Sequence, residues 1–391
     1  MSIYLDHAAT SPMPPAVIAA YASALAVVGN PASVHSQGQS AKQMLEDARE
    51  QVAASLGADP VEVTFTSGGT ESINLAIKGF YWARNEGARR PKILVTHAEH
   101  HATLDSAEWL EEHEGAEVVW MPVDSVGKID LVALENALGD DVALVTILLG
   151  NNEVGTIQPI ADIVRIATVH GVPVHCDAVS AYGYVPIDFR SSGLAALSVS
   201  AHKIGGPVGI GALMLSRTAT VTPLIHGGNQ QRARSGTQDA AGAAAFGAAA
   251  ALASNGLEER AAHLRALRDR LVAGVREAVP AAILRGDTVD RLPGNAHFTF
   301  PGCEGDSLLF LLDLAGFSVS AGSACSAGVA EPSHVLTSMG LTAAEARGAL
   351  RITLGHDTTE ADVDAFLAAL PEAAARAGVA GFADRETSVN A

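Results

Sequence analysis

Cysteine is scarce in this chain: 391 residues hold three, Cys176, Cys303 and Cys325. They show neither a zinc-like Cys-x-x-Cys spacing nor an even disulfide framework, so each reads as a reduced thiol and no resident metal is expected. Long apolar runs are lacking too, although hydrophobic residues make up 48%. The longest, 240–253, is mostly alanine with a single Phe246, which suits a packed interior helix better than a membrane span. Residues Met1 to Asp6 have no basic region leading into an apolar core, so no signal peptide is expected and the reading is cytoplasmic. Basic residues are few, 25 against 43 acidic ones, giving a net charge of -18. That balance opposes non-specific nucleic-acid binding and leaves any phosphate to backbone N–H groups.

What is present alternates. Helices are expected from about Pro14, where prolines fit a first turn, to a stop at Gly29-Asn30-Pro31, and over 39–56, closed by Gly57. Strands at 61–65, 93–95, 118–120, 142–149, 172–176, 195–200 and 211–215 then frame helices at 70–85, 102–113, from Leu131, and at 160–170. Short apolar strands alternating with helices predict an α/β fold with a mostly parallel sheet covered on both faces. Past helices at 238–255 and 257–279 the pattern changes. Strand-like runs at 296–300, 318–321 and 349–353, with helices at 306–314 and 360–375, predict a smaller α+β unit, and the residues from about Asp384 look frayed.

Ligands in parallel sheets gather at the carboxyl ends of strands, and the chemically interesting residues fall there. Ser200-Ala201-His202-Lys203 runs from a strand into a glycine-rich turn, and Lys203 is one of only five lysines. A lysine so placed suits a Schiff base with an aldehyde cofactor, although an ordinary strand-end lysine facing water fits the segment equally. Ser200 and His202 are candidate phosphate or imine contacts. Gly68-Gly69-Thr70 opens a helix, and its free N–H groups with Thr70 can hold a phosphate or merely cap the helix. Asp177 can keep a pyridine nitrogen protonated or cap the following helix. His100 can stack on an aromatic cofactor, with His101 its rival. Asn152 can reach a ring hydroxyl or a carboxylate, and Arg351, in an apolar strand, can clamp an amino-acid carboxylate or form a salt bridge. Cys325 lies among small residues, as an accessible thiol would; Cys176 and Cys303 read as structural.

Together these motifs resemble, over nearly the full length, the cysteine desulfurases of the class V aminotransferase family within the fold-type I pyridoxal-phosphate enzymes. The resemblance rests on Tyr4 to Thr10, Gly29 to Ser33 with His35, Thr66 to Ser72, Glu99-His100 and Asn151 to Gly155. It continues through His175 to Ala178, Arg234 to Thr237, Gly322 to Cys325 and Glu331-Pro332-Ser333. It implies a three-layer α/β/α large domain over 14–256 and a smaller α+β domain, 1–13 with 257–391, carrying the Cys325 loop. It implies pyridoxal 5'-phosphate bound by Lys203, paired at its ring nitrogen with Asp177, stacked by His100 and held by Gly69, Thr70, Ser200 and His202. Thr237 would complete the phosphate cup of the partner subunit in a homodimer. Asn152 and Arg351 would bind the carboxylate of L-cysteine, and Cys325 would take its sulfur as a persulfide, releasing alanine. A sulfur-acceptor protein, commonly an iron-sulfur scaffold, would follow.

Four departures stand near the site: Ser180 for the usual Gln, Ala201 for Gly, Gln230 beside the glycine pair, and His356 for the usual Arg. Ser180 is expected among the cofactor-binding residues, but its shorter side chain can lose the bond to the cofactor's ring oxygen and leave water or another residue to supply it. An aminotransferase, or a lyase on another amino acid including selenocysteine, remains the alternative. A non-catalytic scaffold explains none of the co-occurring polar residues.

Overall fold

A computed structural model describes residues 2–321 and 332–387, with side chains up to residue 379. After a short β1 (Ile3–Tyr4), seven strands follow: β2 (Val63–Thr66), β3 (Lys92–Thr96), β4 (Glu117–Met121), β5 (Val142–Leu148), β6 (Val174–Asp177), β7 (Ala196–Ser200) and β8 (Gly211–Leu215). They form one sheet in the order β2-β8-β7-β6-β5-β3-β4. The pairs from β4 across to β7 are parallel, while β7–β8 and β2–β8 are antiparallel. The connection 201–210 is too short for a helical crossover, so β8 must run back along β7.

Every residue of β5 is buried, as a strand covered on both faces requires. Val145 and Ile147 join Leu45, Phe65 and Phe246 in one core. Leu144 faces the other way, into a core with Ile73, Ile77 and Phe80 of the helix Gly69–Asn85. This is the expected three-layer α/β/α arrangement.

The C-terminal half adds β9 (Ile283–Arg285), β10 (Asn295–Thr299), β11 (Phe317–Ser318) and β12 (Ala349–Thr353). β12, β10 and β9 form an antiparallel sheet, and β1 pairs in parallel with β11. Leu264, Leu271, Phe298, Leu350 and Phe366 centre a separate core beneath them.

Several boundaries differ from expectation. The helix expected from residue 39 begins at Ser36, because the His35 ring nitrogen Nδ1 accepts the Gly38 N–H at 3.2 Å and caps it there. The strand expected over 61–65 begins at Val63, behind a capped turn at Pro60–Glu62. The last helix, Glu360–Thr387, continues through Pro371 well past residue 375, including residues expected to fray. Among the described residues no single helix is long and apolar enough to cross a membrane; Ala240–Ser254 and Leu257–Ala278 pass only as a pair, bent by 71°.

Candidate active site

A cavity of about 290 Å³ opens at the carboxyl ends of the central strands. It brings together Gly69, Thr70, His100, Asn152, Asp177, Ser180, Ser200, His202, Lys203 and Arg351. Most of the residues singled out from the sequence are therefore in one place. Thr237 is exposed and lines no part of this cavity, and Cys325 lies outside the described residues.

Lys203 sits in a tight helical turn, Ala201–Ile204, that follows β7 directly. Gly205 ends the turn at φ 78°, and a Cβ there would stand 2.7 Å from Pro14 Cδ, so only glycine fits. Lys203 Nζ donates to the carbonyls of Ala8 and Ala9, the latter at 3.0 Å. Burial, reinforced by the Arg351 charge, lowers its pKa to about 8 against the opposing pull of Asp177 and Asp6. The amine is thus partly neutral near physiological pH, as nucleophilic lysines need to be.

Asp177 ends β6. Burial raises its pKa to about 6, opposed by the Val179 N–H, which donates to Oδ1 at 2.9 Å, and by Lys203. A second carboxyl, Glu99, is wholly buried nearby. Burial holds its pKa well above the carboxylate range, with the Asp177 charge pushing the same way. Of the two, Glu99 keeps its proton and Asp177 carries the charge at neutral pH. Two residues before Asp177 in β6, His175 is clamped between Thr146 Oγ1 and Ser198 Oγ, each at 2.8 Å, and burial lowers its pKa to about 3. It fixes the register of β5, β6 and β7 where their ends meet the cavity.

His100 caps the helix His101–Glu114, its Nδ1 accepting the Ala102 N–H at 3.0 Å. Burial, then the Lys203 charge, lowers its pKa to about 4, so the ring is neutral with its proton on Nε2. The same two causes bring His202 to about 4; its Nδ1 lies 3.3 Å from Thr10 Oγ1. His101, the rival to His100, is absent from the cavity lining and its ring lies 4.7 Å from that of His334.

Arg351 is 5% exposed. Its guanidinium donates through Nη2 to Asp6 Oδ1 at 2.8 Å and through Nη1 to the Asn152 carbonyl at 2.9 Å. Its Nε is buried and has no hydrogen-bond partner among the described residues, and the residue lines the cavity, so the guanidinium retains a donor that a ligand carboxylate could satisfy. Asp6, Ala8 and Ala9 have no role readable from the sequence, because nothing local in it announces contacts to Lys203, 195 residues from Ala8, or to Arg351, 345 residues from Asp6. Also unforeseen are Ser333 and His334. Ser333 Oγ donates to the buried Glu153 carboxyl, and His334 Nε2 meets the Glu99 carbonyl at 2.9 Å. Asn151 shapes the neighbouring turn, its Oδ1 accepting the N–H groups of Glu153 and Val154 at 2.8 and 2.9 Å.

The donor set fits the cofactor that the sequence resemblance implies. A partly neutral amine, a buried carboxylate and a neutral imidazole share the cavity with the hydroxyls of Thr70 and Ser200 and the N-terminus of the helix Gly69–Asn85. Those groups match an aldehyde, a ring nitrogen, an aromatic face and a phosphate.

Comparison with known proteins agrees. The family model "Aminotransferase class-V" matches residues 3–366. An "IscS-like cysteine desulfurase" of Mycobacterium tuberculosis is 56% identical, the match covering 97% of this chain and 98% of that one. A solved "NifS-like protein" superposes with TM-score 0.88 at 36% identity, covering 95% of this chain and 99% of that one. A second structure, "SspA in complex with cysteine", gives TM-score 0.77 at 32% identity, covering 90% and 99%.

Proposed function

Because the chain belongs to the class-V aminotransferase family, we propose that it is a pyridoxal-phosphate-dependent cysteine desulfurase converting L-cysteine to L-alanine, with Cys325 as sulfur carrier. The observation that carries this reading is the single cavity shared by Lys203, Asp177, His100 and Arg351. The cysteine desulfurases among its relatives support the substrate.

Lys203 would hold the cofactor covalently and Asp177 would hold the proton on its ring nitrogen, with His100, Asn152 and Ser180 beside the ring. Thr70, Ser200, His202 and the Gly69 N–H would take its phosphate. When bound, pyridoxal phosphate supplies an aldehyde for amine exchange and a ring that accepts electron pairs.

The chain's own groups do the rest. With its pKa at about 8, roughly a quarter of Lys203 is neutral at pH 7.5, against about a thousandth for an ordinary lysine. Arg351 Nε and Asn152 bind the substrate carboxylate and so orient the sulfur. Cys325, as thiolate, attacks that sulfur: an S–S bond forms, the C–S bond breaks, and its electron pair stays on carbon. A proton delivered through Lys203 Nζ completes the methyl group of alanine, and the persulfide passes to an acceptor protein such as an iron-sulfur scaffold. In a homodimer, Thr237 would serve the partner subunit's phosphate site.

The test is to incubate the protein with cysteine and measure alanine and sulfide, alongside Cys325→Ala. Near-complete loss of sulfur release in the variant, with the visible absorbance of the bound cofactor unchanged, is expected. Undiminished desulfuration by the variant would overturn the carrier role. Transamination of other amino acids without sulfur release would point to an aminotransferase.

A further inference from the structure

Behind the N-terminal wall of the active site, three potential ligands converge. His7 is 2% exposed and packs edge-on against the Tyr4 ring at 5.1 Å, and among the described residues neither of its ring nitrogens meets a partner in full hydrogen-bond geometry. Its Nε2 lies 3.3 Å from Asp357 Oδ1. His356, exposed like Asp357, presents its ring 6.3 Å from that of His7, and one ligand atom from each of the three falls within 4.8 Å of the others. We propose that His7, His356 and Asp357 form a binding site for one divalent transition-metal ion of the borderline class typified by Zn2+.

The chemistry and the backbone both favour it. Two imidazoles and one carboxylate suit zinc, nickel or copper, and leave a fourth position for water. Ligand atoms around a tetrahedral zinc stand roughly 3.3–3.5 Å apart, from bond lengths near 2.0–2.2 Å. His7 and Asp357 already have that spacing, and the exposed His356 closes the remainder by rotating its side chain. The supporting backbone is fixed. His7 and Ala8 both hang from Thr353, the His7 N–H on its carbonyl at 3.4 Å and the Ala8 N–H on its Oγ1 at 2.9 Å. The turn bearing His356 and Asp357 is closed by the Gly355 N–H donating to Thr358 Oγ1 at 2.9 Å. Gly355 makes room for the imidazole, since a Cβ there would stand 2.0 Å from His7 Nδ1. Because His356 and Asp357 are both exposed, an ion can reach them directly from solvent. No sequence spacing could announce the site, because His7 lies at one end of the chain and the other two residues near the opposite end.

The site is independent of the proposed activity and is tested without it. Zn2+ is titrated calorimetrically into the metal-stripped holoenzyme and into His356→Gln and Asp357→Asn, exposed positions whose replacement leaves the fold intact by circular dichroism. One site per chain in the parent, weakened at least tenfold in each variant, is expected. An anomalous zinc peak between the three residues in crystals grown at stoichiometric Zn2+ would locate it. Equal affinity and stoichiometry in parent and both variants, or a zinc peak only at another place such as Cys325, would overturn the proposal.

Discussion

Replacing Arg351 by lysine separates recognition of the substrate carboxylate from every other role of the cavity. The native guanidinium serves two internal acceptors, Asp6 Oδ1 and the Asn152 carbonyl, and has Nε left over for a third. A lysine ammonium retains the charge, so Asp6 is not stranded, but one compact group cannot reach three acceptors in fixed directions. The loss falls on the third. A hydrogen bond to a charged group contributes about 1.5–3 kcal/mol, which at about 1.4 kcal/mol per decade is a 10- to 100-fold rise in KM for cysteine. Uniform binding is what is removed, so kcat should change far less. Cysteamine, which has the thiol and amine of cysteine but no carboxylate, provides the control: its turnover by Arg351→Lys should match the parent within a factor of about 2–3. Alanine formation from cysteine and sulfide release from cysteamine are the assays. A KM for cysteine within threefold of the parent, or an equal loss with both substrates, would refute the assignment of Nε to the carboxylate.

His100→Asn should keep the helix cap while removing Nε2, since an Asn side chain also accepts the Ala102 N–H. Melting temperature should therefore hold while kcat falls by about 10²–10⁴-fold if the imidazole moves a proton; a kcat within twofold would assign it a capping role only. The lowered pKa of Lys203 means the reactive amine is protonated below about pH 8 and neutral above it. The rate at which cofactor-free protein recombines with pyridoxal phosphate should accordingly rise with pH through a midpoint at about 8 and level off roughly one unit higher, and a midpoint near 10 in the absorbance time courses would contradict the buried setting. Ser333→Ala removes both the hydroxyl donating to Glu153 and the cap that accepts the Leu336 N–H at 3.1 Å. A stability loss of about 1–3 kcal/mol in denaturant titrations is expected, and an unchanged midpoint would show that Glu153 finds another partner.

The large sheet was legible because its strands are short, apolar and separated by amphipathic helices; β5, buried at every residue, was located to within one residue. Strand ends located the site for the same reason: Asp177 and Lys203 stand where parallel strands must deliver ligand-binding groups. What the sequence did not reveal is long-range. The two-residue β1 and β11 have no periodicity to read and exist only because they pair with each other. Asp6 looked like an anonymous N-terminal acid until the fold set it against Arg351. His35 ended up as a helix cap and Ser333 as a tether for Glu153, roles fixed by neighbours and not by spacing. The departure at Ser180 falls in the cavity wall, and that at Ala201 is a fully buried side chain at the start of the lysine-bearing turn.

The active-site wall is made from the two ends of the polypeptide. Ala8 and Ala9 receive Lys203, Asp6 receives Arg351, and β1 has no partner until β11 arrives. During synthesis, domains fold largely as they emerge, beginning at the N-terminus. The seven-stranded sheet, complete at residue 215, can thus assemble on the ribosome with its lysine in place but its front wall missing. β11 gives the N-terminal segment its strand partner, and β12, made last, supplies the Thr353 contacts to His7 and Ala8 and the Arg351 contact to Asp6 that complete the wall. A nascent or truncated chain consequently presents an open, water-filled lysine pocket unable to orient an amino acid, so competence for chemistry is conferred in one late step on finished molecules.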